Sequence, residues 1–62
     1  MVLFTGFNTE TDAKTFLNRY KKKLLNAMII SNDENARDYC YYKLARDYCN
    51  IKQPYCVMWL RF

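Results

Sequence analysis

The chain has 62 residues, a formal net charge of +4, three cysteines, one glycine, no histidine and eleven aromatics, made up of four Phe, six Tyr and one Trp. That length holds one domain, and a domain this small buries only about 60% of its unfolded surface, so its stability calls for a rich core or self-association. The composition argues against an enzyme: without histidine the commonest general base is missing, and one glycine cannot build a phosphate-cradling loop.

The first element is VLFTGF, Val2 to Phe7. It is rich in β-branched and aromatic residues and reads as a strand, with Gly6 loosening the backbone near its end. NTETDAKTFLNRYKKKLLNAM follows. Asn8, Thr9 and Thr11 are candidate caps, and Thr9-x-x-Asp12 approximates a capping box. Glu10 and Asp12 suit the positive end of a helix dipole, and Glu10 sits four residues before Lys14 in the favourable orientation. Ala13, Phe16, Leu17, Tyr20, Leu24, Ala27 and Met28 recur at helical spacing, which predicts one amphipathic helix reaching Met28.

Ser31-x-x-Glu34 is a second capping box, with Asp33 placed to pair with Arg37. It predicts a second helix from Ser31 to about Cys49 or Asn50. Pro54 disfavours helix in the residue before it, so Asn50 to Pro54 is a loop. YCVMWLRF, Tyr55 to Phe62, reads as a closing strand. The expected fold class is α+β: a single β-α-α-β domain spanning residues 1–62. Two amphipathic helices pack on one face of a small antiparallel sheet, which a dimer can extend.

The pentapeptide ARDYC occurs at 36–40 and again at 45–49. Nine helical residues rotate half a turn beyond two full turns, so two copies on one helix face opposite sides. Tyr41, Leu44, Ala45 and Tyr48 then form the inward stripe, with Cys40 at its flank. Tyr39, Tyr42 and Arg46 lie outside, as does Cys49.

Two surfaces stand out as partner-binding. In the last strand Tyr55, Val57 and Trp59 lie on one face, and Cys56, Met58, Leu60 and Phe62 on the other. Both faces are apolar, which is the mark of a strand buried on both sides. A two-stranded sheet under two helices leaves one of them bare, and its open edges invite pairing. A homodimer or a target protein would cover either. The second surface is the stripe of Tyr39, Tyr42 and Arg46, residue types common at interface hot spots.

Lys14, Arg19, Lys21, Lys22 and Lys23 spread over the exposed flanks of the first helix. The plain reading is a solvated face that keeps the chain soluble. The sharper one is a surface that contacts nucleic-acid phosphates, with tyrosines to stack bases. The cysteines have no CxxC spacing and no histidine beside them, so no metal and no cofactor is expected. They read as reduced, small, mostly buried hydrophobes. No basic stretch followed by an apolar run opens the chain, and no apolar run approaches the ~20 residues that span a bilayer. The expectation is a cytoplasmic protein without membrane contact.

The opening FTGFNTETDAKTFLNRY, a Gly-Phe followed by a Thr-capped helix with Ala13, Phe16 and Tyr20 along one side, resembles the small early proteins of tailed bacteriophages. The likeness covers about the first third of the chain. It implies a host-takeover or anti-defence role, exercised by binding and blocking a host protein, and it carries no catalytic residues.

Overall fold

The computed structural model describes residues 1–61. Over them the chain forms strand β1 (Val2–Phe7), helix α1 (Glu10–Tyr20), strand β2 (Leu25–Ser31), helix α2 (Tyr39–Cys49) and strand β3 (Tyr55–Leu60). The α+β class, the antiparallel sheet and the two helices are as expected. Between the helices stands a further strand, β2, in a stretch that the helical spacing assigns to helix. Phe62 of the expected last strand lies outside the described residues.

Helix α1 starts where its caps predict. The Asp12 N–H donates to Thr9 Oγ1 at 3.1 Å, and Lys14 Nζ lies 3.0 Å from Glu10. The helix stops at Tyr20, whose carbonyl accepts from Lys23 at 2.8 Å and from Leu24 at 3.1 Å in a closing turn. Helical spacing through Leu24, Ala27 and Met28 is real but not decisive, because short apolar runs satisfy both helix and strand patterns. Here Ile29 and Ile30 pair with Val57 and Cys56 of β3, and β-branched residues packed on a half-built sheet outweigh helix propensity. Asn26 takes a left-handed φ of 51° where the β2–β3 register shifts between Leu25 and Met28. Asparagine is among the few non-glycine residues at home there.

The second capping box does not start a helix. Ser31 is the last residue of β2, paired with Tyr55. The Asn32 N–H carries the ladder on to the Pro54 carbonyl at 2.8 Å, and Asp33 Oδ1 accepts the Asn35 N–H at 3.0 Å in a local turn. Asp33 and Arg37 therefore share no helix. Helix α2 begins eight residues after Ser31 and ends at Asn50, which adopts a left-handed φ of 54° and donates its N–H to the Ala45 carbonyl. That residue type and geometry make a helix C-terminal cap.

The strand order is β1-β3-β2, with β3 antiparallel to both neighbours. β3 is the central strand, and this explains its two apolar faces. Phe16 of α1 packs on Phe7, Tyr20 and Trp59, with ring centroids 5.2, 4.9 and 6.0 Å away. Ile30, Tyr42, Ala45 and Cys56 form a cluster against which Phe4, Met28, Tyr39, Ile51 and Met58 pack. Trp59 and Cys56 point to opposite sides of a pleated strand. The helices therefore cover opposite faces of the sheet, not one face as the sequence reading expects. Gly6 serves close approach: a Cβ there would run into the Gln53 carboxamide and lie 3.1 Å from Ile51 Cγ2. Without it, the segment before β3 crosses β1 closely.

Candidate functional site

Helix α2 covers only one end of its sheet face. Tyr42 and Ala45 press on Ile30 and Cys56, and the Tyr42 hydroxyl donates to the Gln53 carbonyl at 2.8 Å. Burial pushes the Tyr42 phenol above its ordinary value, partly offset by Arg46. Cys56 beside it is fully buried, and burial pushes its thiol up to about 11, so it stays protonated and inert.

The other end of that face is open. A cleft of about 570 Å³ lies there, lined by Val2 and Phe4 of β1, Asn26 and Met28 of β2, Tyr41, Leu44 and Tyr48 of α2, and Met58 and Leu60 of β3. Eight of these nine residues are apolar and none is charged. Tyr48 is 81% exposed, and Val2, Tyr41, Leu44 and Leu60 are each more than a third exposed. Apolar side chains gathered in a concave surface, in place of singly scattered ones, make this cleft the candidate binding site.

This arrangement reverses the expected placement of the large side chains of α2. Tyr42 was expected outside and is 3% exposed, while Tyr41, Leu44 and Tyr48 were expected in the core and face the cleft. Tyr39 is half-buried and stacks on Tyr42 with centroids 6.2 Å apart. The first ARDYC copy straddles the start of α2, with Asp38 as N-cap. Its tyrosine packs inward, and the second copy's tyrosine points to solvent. Ala45 is buried and Arg46 and Cys49 are exposed, as expected, so the reversal concerns the large side chains Tyr41, Tyr42, Leu44 and Tyr48. Both sides of the helix carry tyrosines, so spacing alone cannot choose between them. The usable signal is that α2 carries two apolar stripes, more than one sheet contact consumes.

Of the other residues expected at a protein interface, Val57 is fully buried and Trp59 is half-buried against Phe16. Both belong to the face that α1 covers; Val57 is closed to a partner, and Trp59 is partly covered. Tyr55 is half-buried, beside Glu10, Ser31, Asn32, Asp33 and Pro54. Arg46 is exposed, with Nε 3.2 Å from Asp47 Oδ1. Cys40 and Cys49 are also exposed, so only one of the three cysteines is a core residue. Val2, Phe4, Met28, Met58 and Leu60 enter the site without having been singled out as a group. They come from three strands, and only the pairing brings them together.

The basic residues do not spread over a long helix. Lys14 and Arg19 are on α1, Lys21 is its C-terminal cap, and Lys22 and Lys23 lie in the following turn. All five are exposed. Positive charge at a helix C-terminus offsets the dipole there, which gives Arg19 and Lys21 to Lys23 a structural use.

Among the described residues no group of His, Cys, Asp or Glu has the placement to hold a metal ion, and no helix is long and apolar enough to cross a membrane. Comparison with family models, curated proteins and solved structures finds no match for this chain.

Proposed function

We propose that this is a small, non-enzymatic protein-binding module that acts by occupying a surface of its target. The observation that supports the reading is the exposed, uncharged cleft between α2 and the open end of the sheet. A groove walled by a helix and floored by a sheet suits an apolar protein segment, and aromatic and long apolar side chains supply most of the energy in such contacts. The resemblance to early bacteriophage proteins points to a bacterial protein as the target and to inhibition or modulation as the effect.

The competing reading is a small nucleic-acid-binding protein that uses Lys14, Arg19 and Lys21 to Lys23. It draws on the grouping of four of these charges at one end of α1. The two readings separate in one experiment. The tagged 62-residue chain is used to capture partners from bacterial lysate with nuclease present and high-salt washes. A single stoichiometric protein is expected to bind wild type and the Lys21→Glu/Lys22→Glu/Lys23→Glu variant, and to be lost from Leu44→Lys. Binding that tracks the lysines and leaves with nuclease or salt would overturn the protein-binding reading, since phosphate contacts weaken steeply with salt.

A further inference from the structure

We infer that a second copy of this chain fills the cleft, with α2 of each copy laid in the other's groove about a two-fold axis. The inference rests on reading the cleft as a protein-docking surface and names its resting occupant, which the target's segment displaces when it binds.

Three observations carry it. The first is self-complementarity. Tyr41, Leu44 and Tyr48 are spaced i, i+3, i+7 on α2, the pattern of a helix that docks in a groove. The same three residues wall the groove whose floor is Val2, Phe4, Met28, Met58 and Leu60. A two-fold contact needs a surface patch that complements itself, and here the docking stripe and the groove are adjoining parts of one patch.

The second is charge. Each copy carries +4, yet no charged residue lines the cleft. Two copies can meet there without placing like charges in contact, and charges farther than a Debye length of about 8 Å are screened at physiological salt.

The third is area. Val2, Tyr41, Leu44, Tyr48 and Leu60 are between 36% and 81% exposed. Taking roughly 200 Å² for a fully exposed residue of this size, they expose on the order of 500 Å² per copy, hydroxyls and backbone included. That is about a tenth of the chain's 4835 Å² and more than half of the ~800 Å² that one side of a standard interface buries. The half-buried floor of the cleft and a polar rim supply the remainder. The tyrosine hydroxyls can stay at the rim while their rings are covered, which suits tyrosine at an interface.

The test is sedimentation equilibrium of the full chain from low micromolar to high concentration. Reductant keeps the exposed Cys40 and Cys49 from cross-linking copies. Wild type is expected to sediment near twice its 7.5 kDa. Leu44→Lys and Tyr48→Lys are each expected to weaken the dimer at least about tenfold, as truncated hot spots do, with the circular-dichroism spectrum unchanged. Should Leu44→Lys fail to fold, Tyr48→Lys decides, because a side chain so exposed contributes little to the monomer. A wild type that is monomeric throughout overturns the inference, and so does a dimer that neither variant weakens. Cleft-dependent capture of another protein by a monomeric wild type would leave the docking reading standing and remove only the second copy.

Discussion

The two faces of the sheet are covered by helices of equal length, eleven residues each, and they end up in different states. On the α1 face, Phe7, Phe16, Tyr20 and Trp59 form a continuous aromatic group, and Ala13 and Val57 are fully buried. On the α2 face, burial is confined to the end around Ile30, Tyr42, Ala45 and Cys56, and the other end is a cleft. The difference lies in how each helix spends its large side chains. Phe16 and Tyr20 of α1 join one aromatic group with the sheet. Helix α2 sends Tyr42 in and turns Tyr41, Leu44 and Tyr48 out. A helix with two apolar stripes can satisfy one sheet and still present a surface, and the second stripe is then free for binding.

The sharpest way to break this comparison is Trp59→Ala. Removing a large aromatic from a packed face costs about 3 kcal/mol or more, a large share of what a domain of this size has. Urea unfolding followed by circular dichroism should show most of the stability gone at any protein concentration. A variant that stays as stable as wild type and merely changes its self-association would mean that α1 does not cover Trp59.

Raising the pH probes the α2 face instead. The Cys56 thiol sits at about 11 in the folded chain, against an ordinary 9.0, because of burial. The folded state therefore holds this proton more tightly than the unfolded state. Its contribution to stability is complete below pH 9 and is lost as the pH rises through about 11. The Tyr42 phenol shifts in the same direction. Cys56→Ala should flatten the alkaline fall of stability measured by urea titration. Parallel curves for variant and wild type would show that the thiol is not buried as described.

The smallest expected effect is that of Tyr42→Phe, which keeps the ring and removes the hydrogen bond to the Gln53 carbonyl. A loss of about 1 kcal/mol is expected in the same unfolding assay. No loss would mean that the hydroxyl is solvated and that α2 is turned toward the face first read from the sequence.

Much of α1 was legible. Thr9, Glu10, Asp12 and Lys14 specify its start through contacts within one turn, and the structure has those contacts. Its end was not legible, because KKKLLNAM contains no proline or glycine and keeps helical spacing. Ser31-x-x-Glu34 misled in the same way: the motif is local, and the strand partner that claims Ser31 is Tyr55, far along the chain. The apolar character of β3 on both faces was visible and correctly signals burial on both sides. The covers are a helix on each face, with strand neighbours at both edges, so the feature no longer argues for a partner at Tyr55, Val57 or Trp59.

The sequence by itself determined what short-range physics decides: the α+β class, the first strand, the cap of α1, the loop before Pro54 and the two-sided apolarity of the last strand. The tertiary structure alone decided that Leu25 to Ser31 is a strand, that the helices lie on opposite faces, and which stripe of α2 points inward. Each of these is settled by pairing or packing with residues distant in the chain, where local preferences are nearly balanced. The cleft belongs to the second group, because it is the part of the α2 face that remains open once the strands have paired and Tyr42 has taken its place in the core.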